Sequence, residues 1–413
     1  MTRQRQAVLI IGGGIAGLTA ASHLARQDVD VILVEKGSFL GGQAITYTCK
    51  ATEQCVKCDA CTVEKMLKQV SQNPDITVFL ASELESLQCN GRFEATIRSR
   101  PLFNAPAEQE ALASAYAACP VPEGILRGYS KNNDPLYAVN TDKLGELSER
   151  SGECFPNGGI DLDKEESTTT LQVDAVLVAS GFKPFNPEER PTLYYAQQEN
   201  LVSGLDLERT KKRFGRYLRP SDLSVPKKVA FIQCVGSRNE DLGNLWCSQV
   251  CCPYALRMAQ SIKHESPDTE VTVFYMDIQN IGKDSPGFYE TCRESLRFVR
   301  NMPVDIYTAE DSALLVSHLD ETETKLTKEL FDLVVLSVGI TPNPDNAQLS
   351  SMLGLPLDND GFLSPWPNGS EEGRGGDGVF VAGTATGPKS IAASMAQAGQ
   401  AVHKVLKYLG ERR

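Results

Sequence analysis

The stretch AVLIIGGGIAGLTAASHLARQDVDVILVEKG, residues 7 to 37, constrains the fold more than any other part of the chain. An apolar run from Ala7 to Ile11 enters a glycine turn, an alanine-rich helix follows, and a second apolar strand ends at Glu35. Gly12, Gly14 and Gly17 make the pattern G-x-G-x-x-G. The first glycine permits a tight turn, the second lets the backbone approach a pyrophosphate, and the third lets helix and strand pack closely. Free amides and the dipole at the helix N-terminus then hold the phosphates. Glu35 lies 23 residues after Gly12, where a carboxylate accepts both ribose hydroxyls. These features predict a parallel α/β sheet that binds a dinucleotide.

Three stretches select FAD over NAD through their resemblance to flavoprotein disulfide reductases. KGSFLGGQA directly follows the acidic residue and brings Lys36, Gly41, Gly42 and Gln43 to the cofactor. LQVDAVLVASGFKPF resembles the strand and A-T-G-x-x-P turn of that superfamily, with Ser180 in the Thr position and Gly181 after it. GDGVFVAGTATGPKSIAASMAQAGQAVHKVL resembles the closing FAD motif, with Gly383 at the turn and Lys389 and Ser390 at the helix start. Thr384 stands where that motif has Asp, so a hydroxyl or a backbone amide must serve the ribityl chain.

FAD segments at both ends, with a second unit between them, predict a two-dinucleotide-domain α/β flavoprotein like thioredoxin and glutathione reductases. We expect the FAD domain in three parts, residues 1–100, 169–222 and 336–413. A separate insertion spans 101–168, and an NAD(P)-domain-like unit spans 223–335. That unit opens with VPKKVAFIQCVGSRN and returns through FDLVVLSVGITPNPD, which resembles the superfamily's exit strand. Its first turn reads C-V-G-S, leaving only Gly236 for close backbone approach, so nicotinamide is not expected there.

The chain has twelve cysteines among 413 residues. Clustered spacing favours metal or redox chemistry over structural disulfides, and scattered Cys89 and Cys292 read as buried inert thiols. Cys234, Cys247, Cys251 and Cys252 have the spacing C-x12-C-x3-C-C. An i, i+4 relation sets Cys247 and Cys251 on one helical face, while Pro253 places the helix start after Cys252. Four thiolates suit an iron–sulfur cube; zinc and four unbound thiols are the alternatives.

IQCVGSRNEDLGNLWCSQVCCPYAL and FVAGTATGPKSI together resemble the heterodisulfide reductase A family. That resemblance covers most of the chain and implies FAD beside a [4Fe–4S] cluster on Cys234, Cys247, Cys251 and Cys252. Family members in methanogens carry an amino-terminal extension and a carboxy-terminal ferredoxin domain, whereas this chain starts at the FAD strand and ends after the FAD helix. The family has a flavin-proximal lysine where Arg257 stands here, and arginine is always charged. The insertion resembles a ferredoxin module that retains only Cys119-Pro120 and Cys154-x-Pro156, too few thiols for a cube. We read it as a scaffold or docking surface.

The shortened architecture is similar to the heterodisulfide-reductase-A-like flavoprotein of the quinone-interacting membrane-bound oxidoreductase complex. The resemblance implies a cytoplasmic protein held at the inner membrane by two partners, an iron–sulfur flavoprotein subunit plus a haem-bearing membrane subunit. It implies a link from menaquinone to adenylylsulfate reductase.

A second thiol group, Cys49, Cys55, Cys58 and Cys61, contains C-x2-C-x2-C just after the Gly41–Gly42 turn. Disulfide reductases place a redox pair there, which Cys58 and Cys61 match. A second cluster using Cys49 and thiols without a role are the other readings. If Cys58 and Cys61 are a redox pair, the chain is an NAD(P)H-dependent disulfide oxidoreductase.

The net charge of −12 argues against nucleic acid, since no basic surplus meets phosphates. Arg3 and Arg5 before an apolar run mimic a leader, but that run passes straight into the glycine turn. No apolar stretch approaches the ~20 residues of a membrane span. His23, His264, His318 and His403 show no ligand spacing.

Overall fold

The computed structural model describes residues 5–132, 134–156, 158, 160–279, 285–320, 325–364 and 377–412. Alternating apolar strands and helices in the amino-terminal stretch produce a five-stranded parallel sheet. Its order is Val379–Val381, Ala175–Val178, Ala7–Ile11, Asp30–Val34 and Ile76–Phe79. Both faces must be covered, because parallel strands of this kind are apolar on both sides. The helices Ile15–Ala25 and Ile391–Glu411 cover one face through Leu18, Leu24, Ala398 and Val405. The other face meets an antiparallel sheet of Ser82–Asn90, Arg92–Ser99 and Ser167–Val173 through Leu84, Phe93 and Ile97.

The inserted unit repeats this plan. Its parallel sheet runs Leu201–Ser203, Leu333–Val338, Lys228–Val235, Glu270–Phe274 and Arg297–Val299. Helix Cys251–Glu265 packs on one face through Leu256, Ala259 and Ile262. An antiparallel sheet of Asp305–Thr308, Leu314–Leu319 and Leu326–Phe331 covers the other. Phe182–Pro184 pairs antiparallel with Ile340–Pro342 where the chain passes between the units. The fold is the two-dinucleotide-domain α/β architecture.

The sequence places residues 201–203 in the middle part of the FAD domain, yet they pair with Leu333–Val338 in the second sheet. A three-residue strand carries too little pattern to reveal its partner.

The insertion has a small core of its own, built from Phe103, Leu112, Val121, Ile125 and Leu147. Cys119 and Cys154 close it as a disulfide with Cα atoms 4.3 Å apart, although clustered spacing elsewhere in the chain favours metal or redox chemistry over structural disulfides. Without companion cysteines, no cluster ties the two ends of the insertion together. A covalent bridge across 35 residues restrains the unfolded chain instead. The Phe39 ring docks against the insertion at Gly128, where a Cβ would stand 2.4 Å from the ring. Cys292 is buried, as expected, but Cys89 is exposed.

Candidate functional site

A cavity of about 420 Å³ opens where the two units meet, lined by Gly12, Gly14, Glu35, Pro253, Asn343 and Lys389 among others. Each glycine of the first turn has a distinct reason to lack a side chain. Gly12 adopts φ +106°, and a Cβ there would stand 2.3 Å from the Ala179 carbonyl oxygen. At Gly17 it would stand 1.9 Å from the Gly12 carbonyl oxygen, inside the helix–strand contact. At Gly14 the nearest atom is 4.0 Å away, so its bare side faces the cavity. This open approach is what a phosphate requires.

Gly41 and Gly42 have φ of 107° and 57°, and a Cβ on Gly42 would lie 3.0 Å from Gly14 Cα. The second glycine turn therefore lies against the first, joined by the Gly41 N–H donating to the Gly13 carbonyl at 2.8 Å. Glu35 accepts the Gly13 and Gly37 amides at 2.6 and 2.7 Å, which leaves lone pairs for ribose hydroxyls. Burial pushes its carboxyl up, and those two amides pull it back. Gln43, Ser180, Gly181, Thr384 and Ser390 line the same cavity.

Ser390 also caps helix Ile391–Glu411 by accepting the Ala393 amide. Gly383 does not line the cavity; it adopts φ +77° and packs onto Ala16. Lys36 is outside the lining too, with its ammonium 2.8 Å from Asp345. Lys389 donates to the Gly383 and Gly387 carbonyls and to Thr386 Oγ1, so it staples the closing turn. Burial lowers its ammonium to about 8.

Cys234, the penultimate residue of strand Lys228–Val235, is left-handed, φ 57°, where the register shifts between Ile232 and Val235. The helix begins at Cys251, not after Cys252, which puts Pro253 inside its first turn. Proline is tolerated there because the first amides of a helix have no intrahelical acceptor. Cys247 lies in the preceding loop rather than on the helix, so the expected shared helical face does not form.

Cys234, Cys251 and Cys252 are buried and Cys247 is half-buried. Cys251 Sγ lies 3.5 Å from the Val338 carbonyl and Cys252 Sγ 3.9 Å from that of Asp277. Burial raises all three buried thiols, Cys252 to about 11, and each is raised further by its neighbours in the set. Arg238, paired with Asp277, opposes this at Cys234. Gln233, the residue before Cys234, is fully buried with neither amide atom hydrogen-bonded.

Among the described residues, no group of three or more His, Cys, Asp or Glu is arranged to hold a metal ion. A four-iron cube spreads its thiolates over separate corners, and its sulfurs accept hydrogen bonds. The four thiols lie close enough to raise one another, and four thiols are the donor set such a cube takes. Gln249, Val250, Pro253 and Tyr254, interleaved with these cysteines, line the cavity, so the thiol set backs onto it.

The turn of the inserted unit is packed against a ring. Gly236 has φ +81°, and a Cβ there would stand 1.9 Å from the Phe185 ring, which fills the space over the turn.

Of the second thiol group, Cys58 lines the cavity and Cys61 lies in the first turn of helix Ala60–Ser71. Arg257 lines the cavity as well and donates to the Val56 carbonyl at 2.9 Å, tying helix Cys251–Glu265 to this loop. Burial lowers its guanidinium, and Cys58 and Asp59 act in the opposite direction.

One cavity feature escaped sequence reasoning. Lys50 and Glu208 form an ion pair, exposed only 3% and 4%. Thr48 donates to Glu208 through its amide at 3.0 Å and its hydroxyl at 2.7 Å. Partners this far apart in sequence leave no local motif.

The NAD(P)-binding Rossmann-like domain family matches residues 10–77. The chain is 31% identical to the A component of the ferredoxin:CoB-CoM heterodisulfide reductase of Methanosarcina acetivorans, over 98% of this chain and 57% of that protein. It is 32% identical to the iron-sulfur A component of the CoB–CoM heterodisulfide reductase of Methanocaldococcus jannaschii, over 96% of this chain and 63% of that protein. The chain thus spans about three-fifths of the length of these relatives. Among solved structures, thioredoxin reductase from Lactococcus lactis superposes with a TM-score of 0.54 at 15% identity, covering 98% of this chain and 100% of that one. A flavoprotein disulfide reductase from Escherichia coli gives 0.53 at 12%, covering 98% and 71%. At such identities these two establish the fold alone. The chain is similar in sequence to the A components of heterodisulfide reductases and has the fold of thioredoxin reductase.

Proposed function

We propose that the chain is an electron-transfer protein with FAD in the cavity and a [4Fe–4S] cluster on Cys234, Cys247, Cys251 and Cys252. One observation carries this reading: the bare side of Gly14 faces open space, while the matching turn of the inserted unit holds a thiol and lies beneath Phe185. FAD supplies two-electron and the cluster one-electron exchange. The protein's part is to bind and orient both. The Gly12–Gly14 and Gly41–Gly42 turns receive phosphates, Glu35 receives the ribose, and Lys389 fixes the closing turn. No acid–base triad is needed.

Within this reading we place the chain between menaquinone and adenylylsulfate reductase, in a complex with an iron–sulfur flavoprotein subunit plus a haem-bearing membrane subunit. The resemblance in sequence supports that finer assignment. No helix among the described residues is long and apolar enough to cross a membrane, so we assign membrane contact to partners. Affinity purification of the tagged chain from its native cell should bring down the haem-bearing subunit; recovery without it refutes the assignment.

For the cofactors, Cys247→Ser should abolish a cluster signal in electron paramagnetic resonance and leave flavin bound. An unchanged signal rejects this ligand set. The position of Cys58 on the cavity wall favours one second reading, a disulfide oxidoreductase using Cys58 and Cys61. Rapid flavin bleaching by NADH or NADPH would support it.

A further inference from the structure

We propose that the outward face of the antiparallel sheet Asp305–Thr308, Leu314–Leu319 and Leu326–Phe331 is a docking surface for a second copy of this chain. A comparison within the molecule leads to it. Each unit covers one side of its parallel sheet with a three-stranded antiparallel sheet, whose other side is turned away from the core. A face of that kind is ordinarily polar. In the FAD unit it is: Arg98 pairs with Glu83 on the neighbouring strand, and Gln172 donates to Glu94 at 2.7 Å.

The inserted unit departs from this rule. Ile306, Leu314 and Val316 face its core. The alternate residues Tyr307, Leu315 and Leu330 stand in register as one outward row, and Leu319 and Leu326 form a second outward apolar pair. Tyr307, Leu326 and Leu330 are 47%, 50% and 53% exposed. No other sheet or helix among the described residues exposes two large apolar side chains. Contiguous apolar surface left in water marks an interaction site.

The row between these two identifies the occupant. Asp305, Ser317 and Lys328 are in register, with the acid on one edge strand and the base on the other. A second copy turned about a two-fold axis along the middle strand lays each edge strand over the opposite edge strand. Asp305 then faces the second copy's Lys328 and Tyr307 faces its Leu330, and each pair occurs twice. A two-fold axis across the strands would instead set like charge on like, or charge on an apolar side chain. The face is thus self-complementary in the way an isologous contact requires, and stacked sheets keep their strands within about 30° of each other. Three short strands make a small interface, so the association depends on concentration.

Sedimentation velocity of the full chain, purified with its flavin and run across a wide range of concentration, tests the proposal. We expect a species of twice the single-chain mass that grows with concentration. Leu330→Asp places a charge against the second copy's Tyr307 and should weaken the dimer at least ~10-fold. Asp305→Lys sets a cation against Lys328 and should weaken it by a similar ~10-fold. Asp305→Lys/Lys328→Asp reverses both edges and should restore it. Flavin content and circular dichroism like those of the wild type report that each variant is folded. A chain that sediments singly at every concentration overturns the proposal. So does a dimer indifferent to both single substitutions, or a double exchange that fails to restore association. A different protein that co-purifies with the wild type and is lost in Leu330→Asp gives the face to that protein and likewise rejects self-association.

Discussion

The two parallel sheets follow one plan, with helices on one face and an antiparallel sheet on the other, yet their first turns do opposite things. After Ala7–Ile11 the left-handed position belongs to Gly12, and Gly14 leaves the cavity open. At the end of Lys228–Val235 the strand already carries left-handed Cys234, and Gly236, the residue after the strand, lies under Phe185. A nucleotide fold is therefore a frame whose turn decides the chemistry. Bare amides over open space can receive phosphate; a turn packed under a ring offers no such opening.

Changing each turn should break this contrast in a different way. The largest effect belongs to Cys247→Ser, which should remove about four irons per chain and leave FAD in place, as iron analysis and absorbance would show. Gly14→Val comes next, because the added group points into open space and should leave the fold intact while weakening FAD more than ~10-fold, about 1.4 kcal/mol. Flavin release on gel filtration checks it, and the iron should remain. Gly236→Ala should cost roughly 1–3 kcal/mol through collision with Phe185 and leave flavin affinity unchanged, read by denaturant unfolding and flavin titration.

The smallest effect is the response to acid, in which the two units should diverge. In the inserted unit Arg297 and His318 hold the Glu329 carboxyl down at about 2. Its stabilisation is present above the ordinary carboxylate value and fades as pH falls toward 2. In the FAD unit burial raises Glu35, so its contribution is fully present at low pH and is lost as pH rises through its raised value. Hydrogen exchange at pH 5 and pH 3 should show the inserted unit loosening first. Equal loosening of both units would contradict these assignments.

Much of the site was legible because its information is local. Gly12, Gly14, Gly17 and Glu35 carry meaning through spacing within a single βαβ unit, and the four cysteines of C-x12-C-x3-CC do so within a single turn and helix start. What escaped depends on contacts made across the chain. The Lys50–Glu208 pair, Phe185 over Gly236 and the Cys119–Cys154 bridge each join segments far apart in the chain, and no local spacing states the pairing. The helix start at Cys251 departs from expectation for another reason. The preference of a residue before proline is weak, and burial of Cys251 and Cys252 against the sheet overrides it.

The central claim is that a cluster has replaced the nicotinamide in the second unit. Anaerobic absorbance of the isolated protein, mixed in turn with NADH, NADPH and dithionite, tests this most directly. Flavin absorbance should persist with both nicotinamides, while dithionite should bleach it and bring up a cluster signal that Cys247→Ser lacks. Rapid bleaching by NADH or NADPH would contradict the account, since it would require a nucleotide to reach the flavin past Phe185.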